Sequence, residues 1–187
     1  MSYPPIKRSL DILTALSALI LIWPVLLCVA IAIRLDSPGP ALFLQPRVGL
    51  GGRVFRVFKF RSMRSDTAGP VLTQVNDPRI TKLGHLLRRT SIDELPQLLN
   101  ILQGDMSLIG PRPEVPSIVE TYPSDWRPVF DVRPGLTGWA QIHGRDDLDI
   151  PTKLGYDLAY VANLRFGLDW RIFWATFPLL LKGVGIK

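Results

Sequence analysis

Ile12-Leu-Thr-Ala-Leu-Ser-Ala-Leu-Ile-Leu-Ile-Trp-Pro-Val-Leu-Leu-Cys-Val-Ala-Ile-Ala-Ile33 carries no charged residue. At about 22 positions it has the length that a bilayer-spanning helix needs. A cleaved signal peptide is not expected, since the run is too long and no small-residue cleavage site follows it. Two features oppose a simple span. Pro24 sits at the centre, where it removes a backbone hydrogen bond and biases Trp23 away from helical angles. Both flanks are basic, with Lys7 and Arg8 before the run and Arg34 and Arg47 after it. The positive-inside tendency therefore keeps both ends on the cytoplasmic side. A helix that enters, bends at Pro24 and returns satisfies both features. A kinked spanning helix and a buried core helix are the alternatives.

Ser37-Pro-Gly-Pro40 ends this helix. Ala41-Leu-Phe-Leu-Gln45, a glycine-rich turn at Gly49-Leu-Gly-Gly52 and Arg53-Val-Phe-Arg-Val-Phe-Lys-Phe-Arg61 predict a short β-hairpin. Its glycines match neither a dinucleotide fingerprint nor a P-loop. Arg56, Lys59 and Arg61 are candidates to line an anion site, against the alternative of solvated edge-strand charges. Ser62 to Asn76 is a polar loop and a candidate lid. Short helices are expected over Thr81–Arg89 and Leu95–Leu102, the second ended by Gly104. Glu114–Asp131 reads as a helix interrupted at Pro123, and Lys153–Asn163 as a helix with Asp157 and Tyr160 on one face. The aromatic tail, Trp170 to Lys182, suits a membrane interface; a core-packing helix is the alternative. The fold class is thus α+β, mostly helical. Residues 1–36 form a re-entrant membrane anchor, and residues 37–187 a small catalytic domain on the cytoplasmic face.

The 187 residues allow one domain with a sizeable core. The chain is 47% hydrophobic with a mean hydropathy of +0.20, high for a soluble domain. A net charge of +6 makes polyanions or an anionic membrane surface suitable partners. The single cysteine, Cys28, excludes an intrachain disulfide and argues against a cysteine-based zinc site. His85 and His143 are far apart and form no ligand pattern, so a metal here is expected to be a hard, oxygen-bound ion.

The chemistry concentrates in Arg88-Arg-Thr-Ser-Ile-Asp-Glu-Leu-Pro-Gln97 and in Gly104-Asp-Met-Ser-Leu-Ile-Gly-Pro-Arg-Pro113. Two adjacent carboxylates, Asp93 and Glu94, stand among basic residues, and a rigid turn presents Arg112. Arginines neutralise phosphoryl oxygens, while a carboxylate attacks phosphorus or holds a divalent metal. Asp93 and Glu94 are the candidate catalytic carboxylates, with Asp93 the candidate metal ligand. The bland alternative is a capping box, with Ser91 as N-cap and Glu94 three residues on. Pro96 argues against it, because it would fall inside the helix so defined. Further on, Arg133 lies in a Pro/Gly-shaped loop, and His143-Gly-Arg145 follows. The candidate phosphate-binding set is Lys59, Arg88, Arg112, Arg133 and Arg145.

Five ordered motifs complete the picture: Phe58-Lys-Phe-Arg-Ser-Met63, Asn76-Asp-Pro-Arg-Ile-Thr-Lys-Leu-Gly84, Leu87-Arg-Arg-Thr-Ser-Ile-Asp-Glu-Leu-Pro-Gln-Leu98, Gly104 to Pro113, and Val132-Arg-Pro-Gly-Leu-Thr-Gly-Trp-Ala-Gln141. With them the chain closely resembles the bacterial sugar transferases known as monotopic polyprenyl-phosphate phosphoglycosyl transferases. The resemblance implies transfer of a sugar 1-phosphate from a UDP-sugar to undecaprenyl phosphate, with release of UMP and the start of glycan assembly. It implies Asp93 as the nucleophile of a phosphosugar-enzyme intermediate and Glu94 in metal or proton handling. It also implies Mg2+, and a phosphate-holding turn at Pro111-Arg112-Pro113. The implied location is the bacterial inner membrane, monotopic and facing the cytoplasm, with membrane lipid but no nucleic acid as partner; a homodimer is left open. Two positions depart from the family pattern. Trp23 stands where Ser is common, and His143 where Asn is frequent. The chain is expected to be the small catalytic form of the family.

Two other functions fit parts of the sequence. A membrane-anchored phosphohydrolase would use the same carboxylates with water as acceptor. A basic, non-catalytic module would bind anionic lipid or nucleic acid, with salt dependence and no magnesium dependence. Nothing in such a module requires Asp93 beside Glu94.

Overall fold

A computed structural model describes residues 5–64, 77–144 and 147–182; most of the candidate lid, over 65–76, and Arg145 lie outside the described residues. The apolar run lies within α1 (Pro5–Asp36), which is long and apolar enough to cross a membrane. Pro24 is inside this helix, and Trp23 remains helical despite the preference of a residue before proline. The helix is thus continuous in secondary structure through Pro24. Packing on both sides of the proline holds the helix together. Ala15, Ala18, Leu19 and Ile22 pack against Val57, Leu98, Ile101 and Met106. Leu26, Val29, Ala30 and Ile33 pack against Phe60 and Leu87. These positions recur at three- and four-residue spacing, so one stripe of α1 is a core face. The rest of the helix is apolar and open, including Leu13, Ile20, Leu21, Trp23 and Ile31.

The ends of α1 are fixed by polar contacts to the same domain. Lys7 pairs with Asp169, Arg8 donates to the carbonyls of Ile101 and Leu102, and buried Asp11 accepts the Leu108 N–H. At the other end, Arg61 donates to the carbonyls of Ile33, Ser37 and Pro38. It thereby satisfies carbonyls that a helix C-terminus leaves without partners. Arg61 is thus a buried cap for α1 rather than an anion ligand, while Arg56 is exposed. Several of the cations that flank the apolar run are structural too, because Arg47 pairs with Glu114 at 3.2 Å and donates to Pro113 O.

The hairpin is present as β1 (Leu42–Val48) and β2 (Val54–Phe60), antiparallel, with Leu42 opposite Phe60. Fully buried Asn100 completes it, accepting the Phe58 N–H and donating to Arg56 O. After β2 come α2 (Lys82–Arg89), capped by the Thr81 hydroxyl, and α3 (Leu98–Gln103), ended by Gly104 at φ 97°. A parallel pair not foreseen from the sequence joins β3 (Ser107–Ile109) to β4 (Gly135–Thr137). Two glycine motifs meet here: a Cβ on Gly135 would sit 2.1 Å from Gly110 N. The expected helix over Glu114–Asp131 is only α4 (Pro116–Val119) and a 3-10 segment from Ser124 to Asp131, separated at Pro123.

The chain closes with α5 (Trp139–Ile142), α6 (Ile150–Ala162) and α7 (Phe166–Lys182). Ile172 is fully buried with Ile109, Val132 and Tyr160, whereas Phe166, Trp170, Trp174 and Phe177 form an exposed aromatic stripe. The core-packing alternative for the tail thus holds on one face of α7, and the aromatic stripe is left open on the rest. The molecule is mostly helical, with two small two-stranded sheets among the described residues.

Candidate functional site

Asp93 and Glu94 lie in a 3-10 turn, Ile92–Gln97, between α2 and α3. Pro96 within it prevents an ordinary α-helical start, and α3 begins only at Leu98. Ser91 has a left-handed backbone at φ 55° and makes no side-chain cap bond, so the capping-box alternative does not describe this turn. A positive φ in a non-glycine residue is costly and tends to persist where the surroundings enforce it. Here it turns the chain out of α2 so that both carboxylates enter the interior, 5% and 8% exposed.

Three cations from three elements bear on the pair. Lys59, near the end of β2, reaches Asp93 Oδ2 at 3.5 Å and Glu94 Oε1 at 3.0 Å. Arg112 donates from Nη2 to the same Glu94 oxygen at 2.9 Å. Arg88, in the last turn of α2, is held by Nε to Ser62 Oγ at 2.9 Å, and its charge favours ionised Asp93. Burial pushes the Asp93 carboxyl above its ordinary range; Lys59 and Arg88 oppose the rise, and Glu94 adds to it. Burial acts on Glu94 too, yet Arg112 and Lys59 hold it well below the usual carboxylate range. Adjacent carboxyls thus differ: Glu94 is a fixed anion that orients two cations, while Asp93 is less heavily paired.

The Pro111-Arg112-Pro113 turn is braced from behind. Asp157, on α6, accepts the Arg112 backbone N–H, and Arg47 holds Pro113 O. Burial, together with the charge of Glu114, pushes the Asp157 carboxyl up to about 8. Tyr160 donates its hydroxyl to Ile109 O and to Asp169 Oδ1, linking the same helix to β3 and to Lys7. Sequence reasoning missed Asp157 as a support, although it noted that Asp157 and Tyr160 share a face. It missed Asn100 altogether, since a polar residue in a short apolar helix carries no pattern.

Of the predicted phosphate set, Lys59, Arg88 and Arg112 converge on the carboxylates. Arg133 donates from Nε to Gly104 O, bracing the end of α3. His143 stacks on Tyr156 and donates from Nδ1 to Trp139 O at 2.7 Å. Among the described residues no three His, Cys, Asp or Glu side chains converge into a closed metal site. Two neighbouring carboxylates nevertheless suit a magnesium ion, which commonly takes one or two protein carboxylates and completes its shell with water and substrate phosphate. Asp93 and Glu94 are the residues that would hold it.

Buried, adjacent carboxylates ringed by fixed cations are the arrangement that a phosphate ester calls for. A family model described as bacterial sugar transferase matches residues 2–183, and the chain belongs to that family. It is 44% identical to the UDP-N-acetylgalactosamine-undecaprenyl-phosphate N-acetylgalactosaminephosphotransferase of Aeromonas hydrophila, over 99% of this chain and 46% of that protein. It is 44% identical to the UDP-glucose:undecaprenyl-phosphate glucose-1-phosphate transferase of Escherichia coli (strain K12), over 91% of this chain and 39% of that protein. The exopolysaccharide production protein PSS of Rhizobium leguminosarum bv. phaseoli is 45% identical over 91% of this chain and 92% of its own length. The chain therefore spans less than half the length of the first two relatives and nearly all of the third.

Proposed function

We propose that the chain transfers a sugar 1-phosphate from a UDP-sugar to undecaprenyl phosphate in two displacements at one site. The observation that carries the proposal is the Lys59–Asp93–Glu94–Arg112 cluster on the strained turn of a member of this family. An Asp93 carboxylate oxygen attacks the phosphorus that bears the sugar, the P–O bond to UMP breaks, and UMP leaves as an anion. A phosphate oxygen of the lipid then attacks the same phosphorus and frees Asp93. Lys59, Arg88 and Arg112 neutralise the phosphoryl oxygens during both steps. A bound magnesium ion would supply further charge neutralisation there. Arg133 and Arg145 complete the proposed phosphate set.

Splitting the transfer lets a soluble donor and a lipid acceptor use the site in turn. It also fits the unequal carboxyls. Glu94, ionised and doubly paired, positions the cations, and Asp93 keeps an oxygen for attack. The anchor is read as re-entrant, with both ends at the cytoplasmic face. Support comes from Lys7, Arg8 and Asp11 at one end and the Arg61 cap at the other, all engaging one domain. The test is UMP release over a panel of UDP-sugars with undecaprenyl phosphate and magnesium. Release with one or a few sugars, coupled to a lipid diphosphosugar, is expected. Free sugar phosphate with no lipid product would assign the site to hydrolysis instead.

A further inference from the structure

A cavity of about 160 Å3 opens between the turn that carries Glu94 and the inner face of α7. Leu95, Leu108, Leu136, Ile142, Phe173 and Phe177 are among the apolar side chains of its wall. Two wall hydroxyls, Thr137 and Thr176, bond to each other at 2.8 Å, so that part of the lining offers little to a polar ligand. An apolar cavity of about 150 Å3 stays dry and accepts a hydrocarbon of about six carbons. One isoprene unit is of this size.

The lining is polar where it reaches the site. Glu94 belongs to it, with Lys59 and Arg112 on the same carboxylate oxygen. Gln141 belongs to it as well; this side chain is 6% exposed, and neither Nε2 nor Oε1 has a hydrogen-bond partner. A buried amide left unpaired costs about 1–3 kcal/mol, and such a group calls for a ligand or another explanation. In the other direction the lining runs onto α7 through Phe177, which is 46% exposed and ends the aromatic stripe. The cavity thus joins a cationic phosphate site to an apolar outer surface.

We infer that this cavity takes the phosphate-proximal isoprene unit of the polyprenyl phosphate acceptor, that the lipid leaves along α7 rather than along α1, and that Gln141 Nε2 donates to the lipid phosphate. The inference rests on the transfer reading and adds the acceptor's path to it. An anionic head beside Lys59 and Arg112 and a branched hydrocarbon among leucines and phenylalanines match both ends of the cavity. A UDP-sugar, polar throughout, matches only one.

The test uses the unaltered chain in nanodiscs of phosphatidylethanolamine and phosphatidylglycerol, with a polyprenyl phosphate bearing a diazirine on its first isoprene unit. After irradiation, adducts are expected on peptides containing Leu136–Ile142 or Phe173–Leu180. Excess undecaprenyl phosphate should suppress them and dioleoyl phosphatidic acid should not. Adducts confined to α1, or displaced equally by both lipids, overturn the inference. A second arm fills the cavity with Leu136→Trp and measures the UMP burst from donor alone beside the acceptor KM. Removing room for one hydrocarbon unit should raise the acceptor KM roughly tenfold or more and leave the burst unchanged. An unchanged acceptor KM in a variant with a normal burst overturns it. Crosslinking needs no turnover, so a labelled cavity in a chain that releases no UMP supports the lipid site and sinks the transfer reading alone.

Discussion

Charge at this site is apportioned residue by residue. Lys59 and Arg112 meet on one oxygen of Glu94, and two prolines fix the backbone of Arg112, which preorganises it for the phosphate role proposed for it. Arg112→Lys keeps the charge but loses the planar fork. Turnover should fall about tenfold or more, as for the loss of one oriented donor in a transition state. Wild-type kcat/KM in that variant would return Arg112 to a structural role. Asp157 gives a pH prediction. Its carboxyl titrates near 8 when folded and near the ordinary carboxylate value when unfolded. Between those values the folded chain holds the extra proton, so stability falls as pH rises from about 4 to about 8 and then levels off. Asp157→Asn removes that slope and can still accept the Arg112 N–H. Thermal unfolding at pH 5 and pH 9 should therefore show the variant gaining on the wild type at the higher pH, by a few kcal/mol at most. An equal difference at both values would contradict the assigned titration.

Glycine explains the central elements. β3 and β4 lie so close to the chain at Gly110 that a Cβ at Gly135 would meet Gly110 N at 2.1 Å. Gly135→Ala should push this contact apart at about 1–3 kcal/mol, the usual cost of overpacking. Because Gly110 leads into Pro111 and Arg112, activity should fall together with the melting temperature. A variant melting like the wild type would show that the contact gives way freely. The elements also show what the sequence could disclose. The hairpin, α2 and the Gly104 stop follow from local patterns of β-formers and caps. The β3–β4 pair does not, because three-residue parallel strands are fixed by backbone approach between segments more than 20 residues apart. The contacts of Arg61 and Arg133 escape the sequence for a related reason. Sequence spacing gives a charge its neighbourhood along the chain, while the carbonyls of Ser37 and Gly104 that they serve come from elsewhere in the fold.

At the scale of the whole molecule, α1 is a core element on one side and, in the proposed reading, a membrane anchor on the other. Among the described residues its inner stripe closes two of the three apolar clusters, and its outer face is apolar and open. With both ends bonded to one domain, both should lie on one side of the membrane. Ile6 and Asp36 are exposed near the two ends, whereas Ser37 is buried, so the former are the positions for labelling. In a Cys28→Ser background, Ile6→Cys and Asp36→Cys should react with an impermeant maleimide only after the membrane is opened. Reaction of position 6 on intact cells would mean a true span. On the proposed function, the same arrangement puts the site at the lipid surface and has donor and acceptor use it in turn. The most direct measurement is therefore mass spectrometry of the protein after incubation with its UDP-sugar and magnesium, without lipid acceptor. The account predicts one sugar-phosphate adduct on Asp93, absent in Asp93→Asn and discharged by undecaprenyl phosphate. UMP release that requires both substrates together, with no adduct on the chain, would contradict it.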